Sequence, residues 1–286
     1  MPSLSVASLL TPAPAAAAVS AASLSVPILA GIAVLGLLAG VLGGLAGVGG
    51  SMVMLPGLHA LLGDEPPAIH HLYMAAAMVV NVAVALPAAR RHAQAGAVRK
   101  DLLPPLLLST VISVLVGVVV SNQVGGDGLR IALAAFIGGY CLWNLIRLAR
   151  NTPEHPPEAQ RTERWRLALS GAATGFVGGL LGLGGGVLLV PMLQLWCRLD
   201  LRASIATSSS VIWISALVGC SLKLATLHQH DQSIWLALLL AALLAPTAIL
   251  GARWGAALTH SLPLRAVRAA ITSILLVAAL RLAGVI

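Results

Sequence analysis

Two clusters of consecutive glycines are the residues in this sequence whose types and spacing point most directly to chemistry. Consecutive glycines interrupt a helix, and an interrupted helix leaves backbone N–H groups that can bind an anion without a buried cation. We therefore predict that these glycines, and the serine beside them, donate backbone hydrogen bonds to a small anionic substrate, with no metal and no organic cofactor. The residues are Gly49, Gly50 and Ser51 in the first cluster and Gly184, Gly185 and Gly186 in the second.

Side-chain donors of the same kind lie in two apolar runs of the chain. Thr207, Ser208 and Ser209 are consecutive, and Asn81 is a carboxamide within another run. We predict that these four side chains complete the anion site. Hydroxyl groups in hydrocarbon also bond back to their own helix, and a buried carboxamide also bonds to a neighbouring helix. From the sequence both interpretations stay open.

Enzymatic and metal chemistry find little support in the sequence. The serines at 208–210 have no neighbouring His or Lys to activate them, and neither HExxH nor GxSxG occurs. His70 and His71 are adjacent, so on a helix they diverge by about 100° and form a poor metal pair; we expect them at the membrane surface. Lys223 and Arg253 lie near the ends of apolar runs, where snorkelling would place their charges in water. We predict that the protein is not an enzyme.

The composition is that of an integral membrane protein. Of the 286 residues, 58% are apolar and only 9% are charged, whereas a soluble domain carries about 25% charged residues. The formal net charge is +8, but the basic residues lie in short breaks between apolar runs, as the positive-inside rule predicts. We therefore expect the lipid bilayer as a partner and no nucleic acid.

Eight apolar runs are candidates for membrane segments, because a helix needs about 20 apolar residues to cross the hydrocarbon. They are residues 27–62, 68–89, 102–121, 128–147, 165–197, 203–227, 232–258 and 264–284. Residues 1–26 are rich in Ala, Ser and Pro and predict a disordered tail. Residues 149–164, with three prolines and mixed charges, predict a cytoplasmic linker between a first membrane repeat at 27–148 and a second at 165–286.

The two halves carry copies of one glycine-rich pattern. Residues 36–56 and 171–191 align at an offset of 135 with nine identical positions out of 21, seven of which are glycines. This agreement predicts a tandem duplication. Glycines at helical spacing, such as Gly36 and Gly40, are typical of close helix packing, whereas the consecutive glycines predict that the first helix of each half is broken.

The charge distribution favours halves of opposite orientation. If each glycine-rich run folds back to its starting side and the loop at 90–101 is cytoplasmic, only Arg130, Lys223 and Arg281 of the 17 Lys and Arg residues lie outside. Each half then crosses an odd number of times, which requires inverted topology. We predict an all-α integral membrane protein with about eight transmembrane segments in two homologous halves, related as inverted-topology repeats with Gly-broken first helices.

Three segments together resemble the sulfite exporter TauE/SafE family of bacterial membrane permeases, over about residues 30–284. They are the doubled pattern GxxxGxxGGLxGxGGxxxxxP, the ATSSS stretch at 206–210 and the C-terminal GARWGAALTHSLPLRAVRAAITSILLVAAL. The resemblance implies a multi-pass secondary transporter of the bacterial inner membrane that moves sulfur-containing anions such as sulfite and organosulfonates, usually outward. Coupling to protons is implied by the resemblance alone. One departure is Tyr73-Met74-Ala75-Ala76, where the family often has a Thr-Ser pair, so the first half contributes fewer hydroxyl groups.

Two other functions remain as alternatives to alternating access of the two repeats around a midplane anion site. A passive anion channel would conduct without saturation and would ignore a proton gradient. A membrane assembly or sensor protein would show no flux at all. The small-residue helix faces also permit a homodimer.

Overall fold

The computed structural model describes residues 25–149, 160–186 and 188–262, together with residues 269, 272, 273 and 276. This part of the chain contains nine α-helices, two short 3-10 helices and no strand. The α-helices are α1 (Val26–Ala46), α2 (Ser51–Leu62), α3 (Ile69–Gln94), α4 (Leu103–Ser121), α5 (Gly126–Ala149), α6 (Arg164–Leu180), α7 (Leu189–Leu195), α8 (Leu201–Thr226) and α9 (Ile234–Ser261). The 3-10 helices are Lys100–Leu102 and Leu227–His230. Most of the predicted tail, linker and last apolar run lies outside the described residues.

Six helices in the described ranges are long and apolar enough to cross a membrane, which agrees with the prediction of an all-α membrane protein. They are α1, α3, α5, α9 and the two continuous segments Lys100–Ser121 and Leu201–His230. By contrast, α2 has 12 residues and α7 has seven. At about 1.5 Å per residue both are shorter than the hydrocarbon layer of about 30 Å. The predicted runs at 27–62 and 165–197 are therefore each divided into two helices.

Glycines in the left-handed backbone conformation divide these two runs. We call residues 47–50 the first break and residues 181–186 the second break. The glycines with positive φ at equivalent positions are Gly47 (+63°) and Gly182 (+71°), and Gly49 (+78°) and Gly184 (+68°). L side chains are strained in this conformation, so the chain needs glycine at these positions. The left-handed conformation thus recurs at these two pairs of positions, within the breaks that the consecutive glycines predict, whereas Gly50 (φ −88°) and its equivalent Gly185 (φ +84°) differ.

The long helices of the two halves pack against each other reciprocally. α1 of the first half packs against α9 of the second, and α6 of the second half packs against α4 of the first. A Cβ atom added at Gly40 would overlap the carbonyl of Ala248 on α9. One added at the equivalent Gly175 would overlap the carbonyl of Thr110 on α4. The glycines at helical spacing therefore bring helix backbones into direct contact, as the small-residue pattern predicts.

The equivalent helices α3 and α8 pack against each other and run antiparallel. His71, near the start of α3, contacts Lys223, near the end of α8. Ala85, in the second half of α3, packs with Ile212 in the first half of α8. This helix pair carries the side chains that hold both breaks.

Candidate functional site

Asn81 of α3 joins the two breaks through three hydrogen bonds. Its Oδ1 atom accepts from the amide of Gly50 at 2.8 Å, and its Nδ2 atom donates to Ser51 Oγ at 2.6 Å. The same Nδ2 atom donates to the carbonyl oxygen of Leu183 at 3.1 Å. Asn81 is fully buried. Its carboxamide therefore connects the start of α2 in the first half with the second break in the other half.

Serines of α8 hold the breaks from the opposite side. Ser208 Oγ lies 2.7 Å from the carbonyl oxygen of Gly47 and 3.2 Å from that of Gly186, so it contacts both breaks. Ser215 Oγ donates to the carbonyl oxygen of Gly184 at 2.8 Å. Because every residue in these contacts is buried, the breaks are enclosed by protein, as irregular backbone at membrane depth requires.

Several backbone amides in the breaks are not used by the described protein. The amides of Gly49, Ser51, Gly185 and Gly186 donate no hydrogen bond to any residue in the described ranges. Buried amides without partners are rare in folded proteins, because desolvation without a hydrogen bond is costly. These four donors are therefore available to a small acceptor placed between the breaks.

The hydroxyl group of Ser209 adds a side-chain donor on the same side. Its Oγ atom is buried and has no hydrogen-bond partner among the described residues. At helical spacing, Ser209 shares a face of α8 with Ile205, Ile212 and Ala216. Those three residues lie against the backbones of the breaks, at Gly47, Gly186 and Gly184 respectively. The free hydroxyl therefore lies on the helix face that meets both breaks.

Thr207 is the one predicted site residue that the structure places elsewhere. Its Oγ1 atom accepts a hydrogen bond from the amide of Arg99 at 3.2 Å, in the loop between α3 and α4. The hydrogen bonds that Arg99 donates to Asp101 raise the pKa of its guanidinium. Thr207 thus anchors a loop, whereas the nine other predicted site residues lie at the breaks or on the helix faces against them.

One sequence interpretation of a polar residue is wrong in the structure. Lys223 does not snorkel, since its side chain is completely buried. His70 and His71, at the start of α3, are buried by the protein as well. Lys223 lies near a helix end, which is the position where snorkelling is expected. It also lies at helical spacing from Ser208 and Ser215, and therefore on the face of α8 that is directed inward. That spacing is the signal that could have revealed its burial.

A basic cleft of about 860 Å³ lies between α3 and α9. Its lining includes Arg90, Arg91 and Arg253 together with Trp254 and apolar side chains. Three guanidinium groups in one cleft create a positive potential that attracts anions. The charge distribution of the sequence predicts that this end of the bundle is cytoplasmic.

Comparison with known proteins gives a family match over most of the chain. The family model described as "Sulfite exporter TauE/SafE" matches residues 32–282. A "Probable membrane transporter protein MamO" from Magnetospirillum gryphiswaldense is 27% identical over 271 residues, which cover 83% of this chain and 42% of the relative. The MamO protein of Paramagnetospirillum magneticum is 26% identical over 277 residues, covering 85% of this chain and 42% of the relative.

A shorter match connects the chain with a third relative. The "Probable membrane transporter protein YunE" of Bacillus subtilis is 34% identical over 88 residues, covering 31% of this chain and 30% of that protein. The chain spans less than half the length of the curated relatives that it matches. No solved structure is significantly similar.

Proposed function

Because the chain belongs to the sulfite exporter TauE/SafE family, we propose that it is a secondary transporter that exports small sulfur-containing anions, such as sulfite or organosulfonates, across the bacterial cytoplasmic membrane. The two halves act as inverted repeats with about eight membrane segments in total. The two breaks form one anion site between the halves.

The observation that carries this proposal is that Asn81 bonds to both breaks, beside buried neutral donors that the described protein does not use. The amides of Gly49 and Gly185 and the hydroxyl of Ser209 have no acceptor in the described protein. Sulfite and sulfonates present three oxygen atoms that can accept such hydrogen bonds. Since the side chains that bond to the breaks are neutral, Asn81 among them, dipoles hold the anion without a fixed charge and permit its release.

The helix packing supports alternating access of the two halves. The broken first helix of each half packs against a helix of the other half, as the α1–α9 and α6–α4 contacts show. The equivalent helices α3 and α8 run antiparallel, as inverted repeats require. A movement of one half relative to the other therefore changes the surroundings of both breaks together. The residues of both breaks are buried, so an anion reaches them only through such a movement.

We assign anion capture on the cytoplasmic side to the cleft between α3 and α9. Its guanidinium groups, including those of Arg90 and Arg253, raise the local concentration of anions by long-range attraction. The anion then passes from this charged cleft to the neutral donors at the breaks.

Flux in proteoliposomes tests the proposal. Vesicles are loaded separately with sulfite, sulfoacetate, taurine, sulfate or chloride, and efflux is followed with and without an imposed pH gradient. We expect saturable efflux of a sulfur anion that responds to the gradient. Conduction that does not saturate and ignores the gradient would identify a channel. No movement of any anion would remove the transport assignment.

A pair of neighbouring serines tests the site itself. Ser209→Ala removes the hydroxyl that has no protein partner, so we expect unchanged thermal stability. A hydrogen bond to a charged group contributes about 1.5–3 kcal/mol, so KM should rise about 10- to 100-fold. Ser210→Ala is the matched control, because the Ser210 hydroxyl donates to the carbonyl oxygen of Ala206 in its own helix. Equal KM values for both variants would place the anion elsewhere.

A further inference from the structure

Lys223 is a buried cation whose three donors are all used by neutral partners. Its Nζ atom lies 2.9 Å from His71 Nδ1, 3.0 Å from Ser121 Oγ and 2.7 Å from Asn122 Oδ1. No carboxylate contacts the ammonium group in the described part of the chain. A buried charge normally requires an opposite charge, so this lysine is not held permanently in one charge state by a salt bridge.

Lys223 and His71 can share one proton. When the lysine is an ammonium ion it has no acceptor, so His71 Nδ1 must accept its hydrogen bond. When the lysine is a neutral amine, the same 2.9 Å contact can be made with His71 as donor and Nζ as acceptor. The contact therefore survives gain or loss of a proton, whereas the neutral amine has only two N–H donors and can no longer donate to all three partners.

The pair lies near the end of the bundle, beside a further histidine. The ring of His71 is stacked on that of His230, with 3.6 Å between the ring centroids. His230 is half-buried and is followed by the exposed Asp231 in the turn after α8. The sequence charge distribution predicts that this end is the outer side.

The other ionisable groups around the pair form a neighbouring chain that ends at the surface. His70, adjacent to His71, contacts His59, with 2.8 Å between the ring nitrogens. His59 Nδ1 lies 2.7 Å from Asp64, which also pairs with Arg130 of α5 at 2.9 Å. At the end of α4 the groups that face Lys223 are the neutral Ser121 and Asn122, and in the turn after α8 the ionisable group that faces the pair is His230, whose ring stacks on that of His71. This chain keeps Asp64 paired and leaves Lys223 without a carboxylate.

We propose that the Lys223–His71 pair binds the proton whose inward movement is coupled to anion export, an inference that rests on the proposed transport function. Lys223 lies on α8 of the second half, and its partners lie on α3 and at the end of α4 in the first half. Ser215, which holds the second break, is eight residues earlier on α8, about 12 Å along the helix. Proton occupancy therefore sets how firmly α8 is bonded to the first half, and α8 transmits the change to the break.

Lysine variants separate coupling from transport. Arginine stays protonated at any accessible pH, so Lys223→Arg keeps a cation but cannot release a proton. Efflux of [35S]sulfite and [35S]sulfoacetate is measured under an inwardly directed proton gradient, beside exchange of the same anion at equal pH. We expect at least a tenfold loss of the response to the gradient with exchange within about twofold of wild type. His228→Gln, in the same turn but exposed and without contact to Lys223, is the control and should respond as wild type.

The outcomes distinguish failure of the proposed proton-coupling site from failure of the proposed transport function. Full gradient response in Lys223→Arg, or wild-type flux that ignores the gradient, overturns the coupling site and leaves the transporter standing. No wild-type flux of either anion overturns both. If Lys223→Arg does not fold, His71→Gln decides, because it removes the nitrogen that shares the proton and leaves Ser121 and Asn122 in place. The same selective loss of gradient response is then expected, and an unchanged response overturns the proposal.

Discussion

Replacement of Asn81 by leucine removes the three hydrogen bonds that hold both breaks to α3. The side chain keeps nearly the same size, but the amide of Gly50, the hydroxyl of Ser51 and the carbonyl of Leu183 lose their partner. Hydrogen bonds between membrane helices contribute about 0.6 kcal/mol on average and up to about 1.7 kcal/mol. Loss of three predicts a decrease of about 2–5 kcal/mol in the free energy of unfolding.

The assay is unfolding of the detergent-solubilised protein by increasing denaturant, followed by tryptophan fluorescence. Asn144→Leu is the matched control, since Asn144 is also a buried carboxamide within an apolar helix. Its Nδ2 atom donates to the carbonyl of Tyr140, one turn earlier in α5, so its loss does not separate two segments. We expect this control to lose less than about 1 kcal/mol, as one hydrogen bond typically contributes.

The two variants should also differ in transport. Asn81→Leu frees both breaks from α3, so anion efflux should fall at least tenfold even where the protein remains folded, whereas Asn144→Leu should transport as wild type. Equal stability losses in the two variants would refute the role of Asn81 as the joint between the breaks. Normal efflux by Asn81→Leu would show that the anion site does not depend on the arrangement of the breaks.

Three further predictions follow from backbone geometry, charge and burial. Gly184→Ala should lower the free energy of unfolding by more than Gly96→Ala, because both glycines have positive φ but a Cβ atom meets neighbours only at Gly184; equal shifts in thermal unfolding would contradict this. Replacement of Arg90 and Arg253 by glutamate should raise the KM for internal anions several-fold and leave kcat unchanged. The effect should be smaller in high salt, because salt screens the charges of the cleft. An unaltered KM would exclude the cleft from anion capture. Cys197 is buried, so with the other two cysteines replaced by alanine it should react slowly with a maleimide in the folded protein and faster once the protein unfolds; rapid labelling of the folded protein would contradict its burial.

Local sequence patterns were sufficient to predict the helices and the breaks between them. Helix length follows from the runs of apolar residues, and the consecutive glycines at 49–50 and 184–186 lie in the breaks between the end of one helix and the start of the next. These features depend on backbone preferences within a few residues. The agreement between sequence and structure ends where partners come from distant parts of the chain, as the loop contact of Thr207 shows.

The sequence by itself determined an all-helical membrane protein, a duplicated glycine pattern and the residue types of an anion site, because periodicity and glycine conformations are local properties. Only the tertiary structure decided which donors are used by the protein and which are free. Asn81 could have faced an anion or another helix, and its three bonds to the breaks exist because α3 lies between them. Lys223 illustrates the same limit. Its helical spacing indicates that it lies on the inward face of α8, but the groups that cover it belong to α3 and α4, more than 100 residues away along the chain.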